Sequence, residues 1–274
     1  MIGPVPLTLL ELIPRFPLGR CKIPSALAER FLTYVALNDA SSKFAALELC
    51  NAHPDLPSWW EANANLLFLP ATQREEKIPK IQIHPGLPEP QNICLILNGK
   101  STYSLMLWGN GGVIYLSDQS DLANAHLALG GGGIFVGNGV RATARLTINC
   151  RNQGSVALDD DILIGSDVKF MTDDCHTIIS TNDGRRLNPY GGVIQIGKHV
   201  WIADDVRIMG DSSIPRDCIV GAGAFVRRTF DQAGVVLAGV PAKVIRENVT
   251  WDHRDLPPQS PLENNVSTEL QKEY

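Results

Sequence analysis

The sequence predicts a mostly β protein: a parallel β-helix of triangular section, preceded by a small helical region and interrupted by one protruding loop. Three observations predict it. Large apolar residues recur at every sixth position from Leu116 to Phe170, and again from Ile196 to Val226. The two runs are out of step, because Phe170 and Ile196 stand 26 positions apart, which is not a multiple of six. The first ninety or so residues lack this rhythm and carry apolar residues at helical spacing.

Composition sets outer limits. The chain has 274 residues, enough for one large domain or two modest ones, and at 44% hydrophobic and 19% charged it can bury a sizeable core. A formal charge of −5 with no run of Lys and Arg argues against nucleic acid or an anionic membrane as the main partner. The six cysteines are scattered with no C-x-x-C pair, which fits a reducing compartment better than a disulfide framework or a zinc site. The apolar stretch Leu7–Ile13 is too short for a membrane span and lacks a signal-peptide layout. The expectation is a soluble cytoplasmic protein.

Residues 1–90 read as a helical N-terminal region. Pro24–Leu37 spaces its apolar residues for a helix, with Ser25 as its cap. A second helix is expected from Ser42 to about Asn51, and a third from Ser58 to Phe68, where Trp59, Trp60, Leu66 and Leu67 form an apolar face. The Trp59–Trp60 pair reads as core rather than as a carbohydrate platform. Ala71–Lys80 is polar and reads as a linker.

The β-helix is expected over residues 91–246. Of the ten positions Leu116, Leu122, Ala128, Ile134, Val140, Leu146, Asn152, Leu158, Ile164 and Phe170, eight are large and apolar, the exceptions being Ala128 and Asn152. The six from Ile196 to Val226 are all β-branched. Neither a helix nor an alternating strand selects every sixth residue. One short strand plus a corner does, with three such sides to a coil and inward residues stacking from coil to coil. Gly follows the inward residue in Ile164-Gly165, Ile196-Gly197 and Val220-Gly221, where a residue without Cβ suits a tight corner. The frame break places a loop at about 177–193, rich in turn formers. Residues 247–274, with Pro257, Pro258 and Pro261, read as a tail, part of it extended or disordered.

Three segments carry a family resemblance: Ile196-Gly-Lys-His-Val-Trp-Ile-Ala203, Val220-Gly-Ala-Gly-Ala-Phe-Val226 and Ala238-Gly-Val-Pro-Ala-Lys-Val-Ile-Arg246. They resemble the hexapeptide-repeat acyltransferases. The arrangement Asp174-Cys-His176, loop, Val200-Trp201-Ile202 is most similar to the bacterial sugar and capsular-polysaccharide O-acetyltransferases of the polysialic-acid and colanic-acid types. The resemblance covers roughly residues 92–246 and nothing of the N-terminal region. It implies a left-handed β-helix, a homotrimer with sites between neighbouring prisms, acetyl-CoA as co-substrate, and a sugar or polysaccharide acceptor. Handedness and trimerisation rest on the resemblance alone. Serine acetyltransferases also join a helical front to a β-helix, but their paired Asp/His motifs are not visible in this chain.

Moving an acyl group from a thioester to a hydroxyl needs a base, an oxyanion donor and an aligned donor molecule. Histidine suits the base, and His176 matches the family's catalytic histidine. Asp174, two residues earlier, shares a face with His176 if the segment is extended, and is the candidate to orient the imidazole. By the same alternation Cys175 points away. Trp201 precedes the inward Ile202, so its indole turns outward, toward the acceptor or thioester or into trimer packing. Tyr190 and Arg185 or Arg186, on the loop, are candidate acceptor contacts. For CoA, the small residues Ala203, Ala222 and Ala224, with Gly221 and Gly223, leave a groove for the pantetheine arm. Arg228, Lys243 and Arg246 supply cations for the phosphates. His199 reads as a solvated side chain and His253 as part of the tail. Only His176 and His199 lie in the core motif region, too few for a three-histidine zinc site, so no metal is expected.

The function expected is direct, acetyl-CoA-dependent O-acetylation of a sugar or surface polysaccharide. The alternatives are acetylation of another small acceptor (an antibiotic, an amino sugar or serine) and a non-catalytic β-helix serving interactions.

Overall fold

The computed structural model describes residue 21 and residues 24–38, 47–98 and 103–257. The chain winds as a left-handed parallel β-helix of about 6 turns, with one small helix near the N-terminus. Three sheets form the sides of the prism. Sheet A holds eight strands in the order Leu47–Leu49, Leu66–Pro70, Ile93–Leu97, Gly112–Leu116, Gly133–Val136, Ser155–Leu158, Val193–Ile196 and Ser212–Ile214. Sheet B holds seven: Ile81–Ile83, Tyr103–Leu107, Ala125–Gly130, Thr147–Arg151, Lys169–Met171, Arg207–Met209 and Phe225–Val226. Sheet C holds six: Arg141–Ala142, Ile162–Ile164, Val200–Ile202, Ile219–Val220, Val235–Ala238 and Lys243–Glu247. Neighbours pair parallel except at the two ends, where Leu47–Leu49 on Leu66–Pro70 and Lys243–Glu247 on Val235–Ala238 run antiparallel.

In the C-terminal coils each side points two residues inward, two positions apart. Val200 and Ile202, Val206 and Ile208, and Cys218 and Val220 are all 0% exposed. This explains why one six-residue frame appears to run from Leu116 to Phe170. Leu116 and Leu122 occupy the downstream inward position of their sides, Ile134, Val140 and Leu146 the upstream one, and Leu158, Ile164 and Phe170 the downstream one again. Coils here are longer: Ile148 pairs with Phe170, 22 residues on, whereas Ile208 pairs with Val226, 18 on. The extra residues sit at the turn around Asn152 and Gln153, both in the left-handed region (φ 55° and 62°). That is why Asn152 breaks the apolar pattern. Ala128 breaks it because it pairs with Asn149 on the outer row, while Leu127 and Leu129 fill the core.

The corners need glycine for lack of a Cβ, as the sequence suggests, though not for its backbone freedom. Gly165, Gly197 and Gly221 are not the left-handed residues. Gly165 is small because a Cβ there would come within 2.4 Å of Asp204 Oδ1 and 2.9 Å of the Ala203 carbonyl carbon in the next coil. The left-handed positions come later in the corner and are filled mainly by Asp, Asn and Gly, whose short or absent side chains tolerate that backbone. One column is Gly139, Asp161, His199 and Asp217.

The helix α1, Ser25–Leu37, lies on the outer face of sheet A. Its Leu27, Tyr34 and Val35 are buried with Val113, Tyr115 and Phe135, and the Tyr34 hydroxyl donates to the Leu158 carbonyl at 2.6 Å. Ser25 is the first helical residue rather than the cap; Pro24 holds that position without a side-chain bond. The two further helices expected are not formed by the described residues. Leu47–Leu49 is a strand, and the preceding part of that expected helix lies outside the described residues. Ser58–Ala64 is a series of turns, and Leu66–Pro70 is a strand buried on both faces. Leu67 and Leu69 point into the prism, whereas Leu66 and Phe68 meet the α1 cluster. A strand covered on both sides reads as a continuous apolar run, which helical spacing cannot be told from over so short a length. Trp60 is 1% exposed in the prism core. Among the described residues no helix is long and apolar enough to cross a membrane. The tail expectation also changes in part: Trp251 is buried, while residues 258–274 lie outside the described residues.

Candidate functional site

The site is built at the corner between sheets B and A. Ile208 to Ile214 takes 6 positions from one sheet to the other, and Phe170 to Ile196 takes 26, so the equivalent corner above extrudes 20 residues. The neck is tight. Gly192 N–H donates to the Thr172 carbonyl at 2.7 Å, and a Cβ on Gly192 would lie 2.7 Å from the Gly210 Cα. Beyond the neck the chain forms a hairpin: Leu187 N–H donates to the Ile178 carbonyl and Ser180 N–H to that of Arg185, both at 2.8 Å. Ile178, Ile179, Leu187 and Tyr190 on it are exposed.

His176 stands at the foot of this hairpin, exposed, with no hydrogen bond to its ring among the described residues. The segment leading to it is not extended. Cys175 has φ 66°, and His176 N–H donates back to the Asp174 carbonyl at 2.8 Å. The alternation expected to aim Asp174 at the imidazole therefore fails. Its carboxylate accepts instead from Asn188 Nδ2 at 3.0 Å, and the same amide nitrogen donates to the His176 carbonyl at 2.7 Å. Asn188 Oδ1 accepts from Ile178 N–H at 2.9 Å. Asn188 thus stitches both feet of the hairpin around His176, a role that sequence reading missed because it belongs to the fold of the loop.

Asp173 is the buried anchor of the same turn. Its side chain is 2% exposed and pairs with Arg151 at 2.9 Å; its Oδ1 also accepts from Cys175 N–H at 2.9 Å. Burial pushes its carboxyl up, but the hydrogen bonds and charge of Arg151, with Cys175 N–H and Asn152, outweigh that and hold it below the usual carboxylate range. The guanidinium of Arg151 also lies 4.9 Å from the centre of the Trp108 ring.

A cleft of about 440 Å³ opens beside Asp174, between the hairpin (Ile178, Leu187) and the outer face of the following coils (Met209, Phe225, Arg227). Tyr190 and Arg185 do not line it. Arg185 pairs with Asp183 at the hairpin tip, and Arg186 stacks over Tyr190 at 5.1 Å while bonding the carbonyls of Asn188 and Pro189.

Trp201 lies on the outer face of sheet C, 39% exposed, between Leu163 and Ile219 of the adjacent coils. In a triangular section the B–A corner is opposite sheet C, so one chain does not bring His176 and Trp201 together. The expected CoA residues also separate. Ala203 and Ala222 stand on the corner that follows sheet C in successive coils, Ala203 half-buried and Ala222 exposed. Ala224 is 1% exposed and belongs to the core, so it is not available to a ligand. Lys243 and Arg246 are exposed on the last strand of sheet C. Arg228 is not with them: it stacks on Phe230 at 4.5 Å, beside the bridge that joins Thr229 to sheet A. His199 is not solvated either; its imidazole bonds Asp161 and stacks on Trp251. No group of three or more metal-ligating side chains occurs among the described residues.

No protein-family model matches the chain. The polysialic acid O-acetyltransferase of Neisseria meningitidis is 25% identical over 172 residues, which covers 55% of this chain and 80% of that one. The galactoside O-acetyltransferase of Escherichia coli is 33% identical over 119 residues, covering 43% of this chain and 55%, just over half, of its relative. The crystal structure of the polySia-specific acetyltransferase NeuO superposes with a TM-score of 0.59 over 66% of this chain and 75% of that one, at 22% identity, which speaks to the fold. These relatives and the structural neighbour are alike named acetyltransferases. The named relatives are sugar and polysaccharide O-acetyltransferases.

Proposed function

We propose that this protein transfers an acetyl group from acetyl-CoA to a hydroxyl of a sugar or surface polysaccharide, working as a cytoplasmic homotrimer with His176 as general base. The observation that carries the reading is the placement of His176: an exposed imidazole with no hydrogen bond to its ring among the described residues, tied by its carbonyl to Asn188 and two residues from Asp174 in the wall of a cleft, in a chain whose relatives are sugar and polysaccharide O-acetyltransferases.

The chemistry follows from that placement. An alcohol is a poor nucleophile at neutral pH, and the imidazole takes its proton as the oxygen attacks the thioester carbonyl carbon. The tetrahedral oxyanion collapses, the C–S bond breaks, and the imidazolium returns the proton to the leaving thiolate. The products are the acetyl ester and free CoA, with no acyl-enzyme. Asp174, in the cleft wall, accepts a hydrogen bond from the acceptor. Trp201 of a neighbouring prism supplies an indole N–H to an oxygen of the reacting group. Ala203 and Ala222 leave their corner low enough for a pantetheine arm, and Lys243 and Arg246 face the phosphates.

His176→Ala is expected to lower turnover by ~10²–10⁴, the usual contribution of a general base, with the melting temperature unchanged. Mass spectrometry of products from a panel of sugar acceptors with acetyl-CoA reads it. Near-normal turnover in that variant would overturn the assignment.

A further inference from the structure

Past the last strand of sheet C the chain does not leave the prism. Trp251 is 7% exposed. Its ring stacks on His199, centroids 4.5 Å apart and planes 10° apart, and His253 meets it edge-on at 4.4 Å. Asp161 is shared by two imidazoles: His199 Nδ1–H donates to Oδ2 at 2.6 Å, and His253 Nε2–H donates to Oδ1 at 2.8 Å. His199 Nε2 donates to the Trp251 carbonyl at 3.1 Å, and the Trp251 indole N–H donates to the His199 carbonyl at 2.9 Å. Each of the four side chains is thus bonded to or stacked on another member of the set.

Its place in the fold gives it a consequence. Asp161 and His199 occupy the same left-handed corner of successive coils, φ 59° and 55°. The strand that starts after His199 is Val200–Ile202, which carries Trp201 outward. The Trp251 ring centroid lies 6.4 Å from that of Trp201. One flank of the exposed indole therefore faces Trp251, whose ring and main chain are held by His199 and His253.

We propose that Asp161, His199, Trp251 and His253 form a clamp that fixes the C-terminal segment across sheet C and so sets the orientation of the Trp201 indole for acetyl transfer. They are positioning residues, since none faces the cleft beside His176. The proposal rests on Trp201 being a site residue, as read above. A histidine at this corner is explained by it: Gly, Asp or Asn would serve the backbone alone, but none can bond Asp161 and stack on Trp251 together.

The test uses the full chain with three variants: His253→Ala, Asp161→Asn and His253→Gln. Each is made with and without Trp201→Phe, so that acrylamide quenching of Trp201 fluorescence is read as a difference. His253→Ala and Asp161→Asn are expected to raise Trp201 quenching about twofold and to lower kcat by about tenfold, as loss of a held geometry does. KM for acetyl-CoA and the main melting transition should stay near wild type. His253→Gln keeps an N–H donor for Asp161 and should restore both readouts. Unchanged Trp201 quenching and kcat in Asp161→Asn and His253→Ala would overturn the clamp. A Trp201→Phe enzyme with full turnover would overturn the role given to Trp201, which is a separate failure, because quenching reads the clamp directly.

Discussion

Asp173, Asp174 and Cys175 stand in sequence and do three different things. The left-handed φ of Cys175 redirects the chain, so Asp173 turns into the wall against Arg151 and Asp174 turns to Asn188. Asp173 is the member with the largest consequence for stability. Removing one partner of a buried ion pair leaves the other uncompensated, at a cost of about 3–5 kcal/mol. Asp173→Ala is expected to lose that order of stability at pH 7 in a denaturant melt, and with it the turn that carries His176. The effect has a definite pH window. The folded carboxyl ionises below its unfolded value of roughly 3.9, so its contribution is present above that value and lost as pH falls through the folded one. The gap between wild type and variant should therefore hold from pH 7 down to about 4 and close below it. A gap that persists unchanged into that acid range would show that the Arg151 contact is not electrostatic in origin.

The element that matters most is the hairpin inserted at the B–A corner. Its neck, Thr172 to Gly192, is hydrogen-bonded as an ordinary corner would be, and Gly192 packs on Gly210 of the short corner below. The coil is therefore closed without the hairpin. Replacing residues 177–191 with a short Gly-Ser link, which leaves Asp173 on Arg151 and His176 in the chain, is expected to keep the β-helix and its melting temperature within a few degrees. Acetyl transfer should be abolished, since Asn188 and the cleft wall go with the insert; circular dichroism and product assay read the two effects. Much of this element was legible in the sequence. The frame break between Phe170 and Ile196 located it, and the β-branched run after Ile196 fixed the sides below it, because inward positions must be apolar. What was not legible has physical reasons. A turn with one left-handed residue defeats alternation, so the Asp174 direction was misjudged. Ala224 sits on an upstream inward position, which looks like a groove residue until both inward positions of each side are known. The strand Leu66–Pro70 hid as a helix because α1 covers its outer face, and a run apolar on both sides has no period to read. The Asp161, His199, Trp251 and His253 set joins residues up to 92 positions apart, beyond any local pattern.

The whole molecule poses a geometric question about its own site. His176 stands on the B–A corner and Trp201 on sheet C, on the opposite side of a prism whose sides of about six residues place them on the order of 15 Å apart. A single acyl group cannot lie between them within one chain. In the proposed trimer the corner of one prism faces a side of the next, so each site takes its imidazole from one copy and its indole from another. That arrangement makes a quantitative prediction. His176→Ala and Trp201→Ala chains, each inactive alone, are co-expressed in equal amounts. In a random trimer each junction has an intact histidine in half the cases and an intact tryptophan from its neighbour in half, so about a quarter of junctions regain both. Turnover should recover to about a quarter of wild type, and sedimentation should show three chains per particle. No recovery from trimers shown to be mixed would confine each site to one chain, and Trp201 would then have no part in transfer.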